Sequence, residues 1–282
     1  MRRLLPLLAA SMFLAAPALA CGPQNLGVSR TLPVGTLAGG FVGLKTYPQT
    51  LALAPGEVVL TFDDGPIPGH TDKVLDILAA ECVKATFFMV GKQATNAPAL
   101  AARVQREGHT IGYHSMTHPV LRHLTPEAAK REIEDSFRAI DKAVYGMALE
   151  EPRTPFFRFP GFADSPLLDD WLARRGIAVF GTDVWASDWE PETPENELKL
   201  TLARLEKAHG GIVLLHDIQP RTIAMLPDFL HALKARGFRI VHIVPGPGPI
   251  ETRPAPAGWK SETEAILRHE VTQRRNAAMS GG

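Results

Sequence analysis

This chain has no surplus of charge of either sign. Lys and Arg total 30, and Asp and Glu also total 30. A nucleic-acid partner would ask for a clustered basic face, and nothing in this balance supplies one. Cysteine is scarce: Cys21 and Cys82 allow at most one disulfide. Beyond the first twenty residues no apolar run approaches the ~20 residues that a membrane-spanning helix requires. No Gly-x-Gly-x-x-Gly follows the first strand of the main domain, which argues against an open dinucleotide-binding sheet. Neither an internal repeat nor a second domain is visible.

The first twenty residues read as an export signal. Arg2 and Arg3 give a basic start, Leu4 to Leu14 is apolar apart from Pro6 and Ser11, and Ala18-Leu19-Ala20 is an A-x-A cleavage site. The expected product begins near Cys21 and works in the periplasm or outside the cell. Ala18 stands where a lipobox usually carries Leu, which argues against a lipid anchor on Cys21. In an oxidising compartment Cys21 and Cys82 can form a disulfide that staples an N-terminal arm to the domain. The alternative is a buried Cys82 with Cys21 unpaired or lipidated.

Four segments are expected: a leader at 1–20, an arm at 21–56, one α/β domain at 57–244, and a tail at 245–282. The arm is rich in Gly and Pro and is expected to wrap the domain surface. From Val58 onward, strand-like and helix-like runs alternate. Val58–Phe62, Thr86–Val90, Thr110–Tyr113, Phe156–Phe159, Ile177–Gly181, Ile212–Leu215 and Arg239–Val244 read as strands. Helices are expected from Thr71, which can cap one, from Pro98, and from the Thr125-Pro126, Ser165-Pro166 and Thr193-Pro194 starts. Another spans roughly Thr222–Arg236. This rhythm predicts parallel strands with crossover helices, closed or partly closed into a barrel of about seven strands. The tail opens with a Pro/Gly-rich stretch. Ser261 to Glu264 is a capping box for a last helix, whose apolar stripe is only Ile266, Leu267 and Val271.

Five polar clusters follow five of the strands. Asp63-Asp64 ends the first. His114 to His118 follows Tyr113, Arg158 to Phe162 follows Phe157, Asp183 to Trp189 follows Gly181, and His216-Asp217 follows Leu215. In parallel barrels the working residues sit at the carboxyl ends of strands, so all five can line one cleft. Two adjacent carboxylates oppose joint ionisation unless their roles are separated. One Asp on a metal and the other as a general base would separate them. His114 and His118 could join the metal if their loop formed one helical turn. Two imidazoles and one carboxylate leave open positions, the pattern of catalytic zinc.

These segments resemble the motifs of the polysaccharide deacetylase family, the NodB-homology domain of carbohydrate esterase family 4. Thr61-Phe-Asp-Asp-Gly-Pro66 is similar to its first motif residue for residue. His114-Ser-Met-Thr-His118 is similar to its motif of His, Ser or Thr, and a second His, and Leu214-Leu215-His216 to its Leu-x-His motif. The resemblance covers about Glu57 to Val244 and implies an α/β fold, a distorted (β/α) barrel of about seven strands. It implies that Asp64, His114 and His118 hold a divalent metal, usually zinc, with cobalt or nickel in some members. It further implies Asp63 as general base and His216 as general acid, with the backbone N–H of Phe162 holding the oxyanion. Arg158 would pair with Asp63, Asp188 would hydrogen-bond His216, and Trp189 would shield that pair or stack on a sugar. Arg158-Phe-Pro-Gly-Phe162 departs from the more usual Arg-x-Pro-Tyr-Gly form.

The expected activity is removal of N-acetyl groups from an amino-sugar polymer such as peptidoglycan or a chitin-like glycan. Two other readings remain: an O-acetyl esterase on xylan-like glycans, and an inactive secreted sugar-binding protein. The intact polar set argues against the last. Asp217 is expected to be structural, turning the loop after His216. Asp183 is left open between a strand-end cap and the cleft.

Overall fold

The computed structural model describes residues 21–265 and 267–268. The leader at 1–20, and Ile266, His269 and Val271 of the tail, lie outside the described residues. No helix among the described residues is long and apolar enough to cross a membrane.

The fold is organised around β4 (Glu57–Asp63), every residue of which is buried. A run of Val, Leu, Thr and Phe suits a strand covered on both faces, as in parallel sheets. Alternation sorts its side chains. Val58, Leu60 and Phe62 join the core beneath the helices, whereas Val59 joins a second core with Phe88, Phe156, Phe180 and Ile212. Thr61 and Asp63 share the face of Val59 by the same period of two.

β4 pairs in parallel with β5 (Thr86–Met89), β5 with β6 (Thr110–Tyr113), β6 with β7 (Phe156–Phe157), and β7 with β8 (Ala178–Phe180). The chain then runs through Gly181–Asp183 into β9 (Val184–Trp185), which pairs with β10 (Gly211–His216). β10 returns to β4, placing His216 opposite Asp63. β8 and β9 are joined by the chain without pairing, so the strands form a curved, mostly parallel sheet rather than a ring closed by hydrogen bonds, and β11 (Arg239–Gly246) adds to the start of β4. Helices α1 (Thr71–Ala80), α2 (Gly91–Asn96), α3 (Pro98–Arg106), α4 (Pro126–Tyr145), α5 (Pro166–Arg174), α6 (Pro194–Ala208) and α7 (Pro220–Ala235) alternate with the strands. α3 to α7 each begin with Pro, whose missing N–H costs nothing at that position. In α4, Thr125 accepts a hydrogen bond from Ala128 N, and Gly146 ends the helix in the left-handed conformation.

Several expectations need correction. Thr71 is the first residue of α1, not its cap; its hydroxyl accepts from Ile67 N and donates to Asp217. α2 and β9 were not legible as separate elements. The arm does not merely wrap the surface. Its residues form β1 (Arg30–Gly35), parallel to β11, and β2 (Gly40–Val42), parallel to β8. β3 (Gln49–Leu51) pairs with β12 (Thr252–Pro254) of the tail. Open strand edges at β8 and β11 need hydrogen-bonding partners, and the arm provides them. Ser261 Oγ accepts from Thr263 N, but Glu264 turns to Arg122 instead of closing a capping box. Cys21 and Cys82 form a disulfide that ties the arm to the end of α1.

Candidate active site

Side chains of successive strand residues point to opposite faces. Asp63 and Asp64 escape this because Asp64 has a left-handed backbone, φ 79°. The following turn is clamped by Asp217, which accepts from Gly65 N at 3.0 Å and from the Thr71 hydroxyl at 2.6 Å. A Cβ at position 65 would overlap the Asp217 carboxylate, so only glycine lets the two segments approach this closely. Burial, and then the nearby Asp64 charge, push the Asp217 carboxyl up to about 7.

His114 directly follows β6, and His118 lies four residues on, but their loop is not a helical turn. Ser115 and His118 both have positive φ, and His118 N donates to Ser115 Oγ at 3.0 Å. The loop is further held by Glu132 of α4, which accepts from the backbone of Met116 and Thr117. The two imidazoles converge all the same, with ring centres 4.9 Å apart.

Asp64, His114 and His118 form a cluster whose ligand atoms all lie within 4.8 Å of one another. Asp64 Oδ1 is 3.5 Å from His114 Nε2 and 3.3 Å from His118 Nε2. Such spacing suits three donors that share one cation at ~2.0–2.2 Å each. Asp64 Oδ1 is buried and has no hydrogen-bond partner. His114 Nδ1 sits 2.8 Å from Arg158 O and must donate to it, which leaves the Nε2 lone pair facing Asp64. Burial lowers the His114 imidazole to about 4, against the pull of Asp63. Burial alone would raise the Asp64 carboxyl, but His216, His118 and His114 hold it below its ordinary value. A neutral imidazole and an ionised carboxylate are the forms that bind a divalent cation. The residues present therefore fit the expected metal.

Arg158 is completely buried. Its guanidinium donates to Asp63 Oδ1 at 2.7 Å, to Thr61 Oγ1 at 2.8 Å, and to the carbonyls of Phe180 and Gly181. It also lies 4.2 Å over the Phe88 ring. With these four hydrogen bonds holding the guanidinium, the pair fixes one Asp63 oxygen and leaves Oδ2 3.7 Å from His114 Nε2.

His216 lies across the cleft, its Nε2 4.0 Å from Asp64 Oδ2. Its Nδ1 meets Asp188 Oδ1 at 2.7 Å, and its backbone N–H donates to Asp188 Oδ2 at 2.6 Å. Burial would lower this imidazole, but the Asp188 charge and hydrogen bond, aided by Asp64 and Asp63, push it up to about 10. Trp189 meets the His216 ring edge-on at 5.7 Å. Trp185, Trp189, Phe162 and Leu214 form a small apolar cluster beside it.

The geometry bears on Phe162 and on Asp183. The Phe162 N–H donates to Phe159 O at 2.9 Å, within a 3₁₀ turn, so it is not a free oxyanion donor. Gly161, in the left-handed conformation, lets the chain double back there. Asp183 is a structural cap: it accepts from Leu44 N, Thr50 Oγ1 and Ile212 N. Sequence reasoning missed Thr222, whose hydroxyl donates to Asp188 Oδ2 at 2.7 Å. It also missed Ser115. Thr222 lies outside the five polar clusters and carried no signal, whereas Ser115 lies within the His114–His118 cluster, whose Ser/Thr position was the available signal.

The sequence profile of the family Polysaccharide deacetylase matches residues 52–177. The chain is 34% identical over 210 residues to a chitooligosaccharide deacetylase of Sinorhizobium fredii, covering 70% of this chain and 94% of that protein. It is 33% identical over 192 residues to a peptidoglycan-N-acetylglucosamine deacetylase of Bacillus cereus, covering 66% of this chain and 85% of that protein. Among solved structures, a peptidoglycan deacetylase of Bdellovibrio bacteriovorus superposes with a TM-score of 0.69 at 32% identity; 81% of this chain matches 63% of that one. Fold, cleft and relatives together make this chain a member of the polysaccharide deacetylase family, with the NodB-homology fold of carbohydrate esterase family 4.

Proposed function

We propose that this protein is a divalent-metal-dependent hydrolase that removes N-acetyl groups from an exported amino-sugar polymer, peptidoglycan or a chitin-like glycan. The observation that carries this reading is the convergence of Asp64, His114 and His118 on one unpartnered carboxylate oxygen, with Asp63 and His216 beside it. The relatives named above act on those two kinds of glycan. The Cys21–Cys82 disulfide fits an oxidising compartment.

Asp64 Oδ1, His114 Nε2 and His118 Nε2 would hold the cation, zinc in the first instance and cobalt or nickel as substitutes. When bound, it supplies Lewis acidity to the acetyl carbonyl and brings water toward ionisation near neutral pH. Asp63 takes the proton from the attacking water through Oδ2, while Arg158 holds Oδ1. As the carbon–nitrogen bond breaks, His216 gives its Nε2 proton to the departing nitrogen. Acetate and a free amino sugar result. An amide nitrogen cannot leave without that proton, and general acid catalysis of this kind is typically worth ~10²–10⁴-fold. Asp188 keeps the imidazole oriented and protonated. Trp189 covers this pair and offers a ring face to a sugar.

A protonated His216 equips the site for amide cleavage, which needs such an acid more than ester cleavage does, because an alkoxide leaves more readily than an amine anion. Acetate release from N-acetylated and O-acetylated glycans, with and without chelator, tests the reading. Chelator-sensitive release is expected from the N-acetylated polymer. Release from the O-acetylated one alone would make the protein an esterase, and glycan binding without any release would make it an inactive scaffold.

A further inference from the structure

We propose that Glu197 and Thr222 form a neutral hydrogen-bond chain behind Asp188 that positions the Asp188–His216 pair, a role that rests on the hydrolase reading above. Glu197 lies in the first turn of α6 and is only 1% exposed. Thr222 lies in the first turn of α7, completely buried, between Glu197 and Asp188. No step described above uses either residue.

The geometry constrains where the protons sit. The Thr222 hydroxyl has one hydrogen. Its oxygen is 2.7 Å from Asp188 Oδ2 and 3.3 Å from Glu197 Oε1. Asp188 is fully buried and already takes the backbone N–H and the Nδ1–H of His216. The hydroxyl hydrogen therefore goes to Asp188, the shorter and charged contact. A lone pair of the Thr222 oxygen then faces Glu197. An ionised Glu197 would set lone pairs against lone pairs, with a second buried carboxylate just beyond. A protonated Glu197 instead donates to Thr222, and every contact in the row becomes favourable.

Burial, followed by the Asp188 charge, pushes the Glu197 carboxyl up to about 8, which agrees with that assignment. The Thr222 contact, Arg221 on α7 and His216 favour the ionised form, in that order, but each acts after burial and Asp188. Glu197 Oε2 has no partner, as suits the unused oxygen of a neutral acid better than that of a carboxylate. The chain Glu197 → Thr222 → Asp188 fixes the carboxylate plane that holds His216 and confines the negative charge to Asp188.

The test compares Glu197→Gln, Glu197→Leu, Thr222→Ser and Thr222→Val. Gln and Ser keep a donor in place, whereas Leu and Val do not. Two readouts apply: kcat and KM for acetate release, and the NMR resonance of the His216 Nδ1–H in metal-free protein. General acid catalysis is typically worth ~10²–10⁴-fold, and a loosened Asp188–His216 pair forfeits part of it. Glu197→Leu and Thr222→Val should lower kcat about tenfold or more with KM little changed, and should shift the Nδ1–H resonance. The Gln and Ser variants should stay near wild type in both. The proposal fails if Glu197→Leu matches wild type, or if Glu197→Gln is as impaired as Glu197→Leu. If Glu197→Leu does not fold, Thr222→Val decides by the same criteria. Wild-type protein that releases no acetate would sink the hydrolase reading, yet the resonance comparison would still decide the hydrogen-bond chain.

Discussion

Replacing Arg158 by Met examines how Asp63 is kept in the cleft. Both side chains of this pair are buried, 0% and 3% exposed, with 2.7 Å between Nη1 and Oδ1. Removing one partner of a buried pair typically costs about 3–5 kcal/mol, because the remaining charge is uncompensated. Here the loss extends further, since Thr61 Oγ1 and the Phe180 and Gly181 carbonyls lose their donors too. In a domain of this size each kcal/mol moves the melting temperature by about 2–4 °C, so a drop of roughly 6–20 °C is expected. The informative comparison is the double variant Asp63→Asn/Arg158→Met. It removes both charges, so it should be more stable than Arg158→Met alone, with a coupling of about 1–3 kcal/mol in urea unfolding of metal-free protein. Strict additivity of the two single variants would refute the claim that Arg158 stabilises the Asp63 charge.

Three further outcomes are expected. Gly65→Ala should push Asp217 off the turn and lower both zinc affinity and acetate release; a variant with unchanged zinc affinity would show that the turn does not hold the carboxylates in place. Cys21→Ser/Cys82→Ser opens a link across a sequence separation of 61, worth about 4 kcal/mol in the chain-entropy account, and should lower the urea midpoint accordingly. The Glu197 carboxyl is raised from 4.5 to about 8 in the folded protein, so its contribution to stability is present below about pH 4.5 and is lost as pH rises through 8. Glu197→Gln removes that titration, and its stability relative to wild type should climb between those values and level off above them; a flat difference would contradict a buried neutral acid.

Much of the cleft was legible because its chemistry depends on residue types that are costly to bury. Adjacent aspartates, a pair of histidines and a strand-end Arg are unusual at the mouths of apolar strands, and the structure brings them together. The helix starts at Thr125-Pro126 and Thr193-Pro194 were equally plain, since capping and proline act locally. What escaped notice depends on tertiary contact. β1 and β2 are short strands in a Gly- and Pro-rich arm, and only the open edges of β11 and β8 make them strands. The Phe162 amide resembled a free donor until the 3₁₀ turn engaged it. The spacing of His114 and His118 suggested a helical turn, yet a looped chain with two positive-φ residues gives the same convergence. Glu197 and Thr222 carry no sequence signal, because their role exists only where α6 and α7 meet behind Asp188.

The division of labour between Asp63 and Asp64 is the central claim, and one paired measurement tests it: zinc content and acetate release on the same preparations of Asp63→Asn and Asp64→Asn. The account predicts that Asp63→Asn keeps zinc and loses turnover, while Asp64→Asn loses zinc and activity together. If Asp63→Asn lost the metal while Asp64→Asn kept it, the two roles would be reversed and the account contradicted.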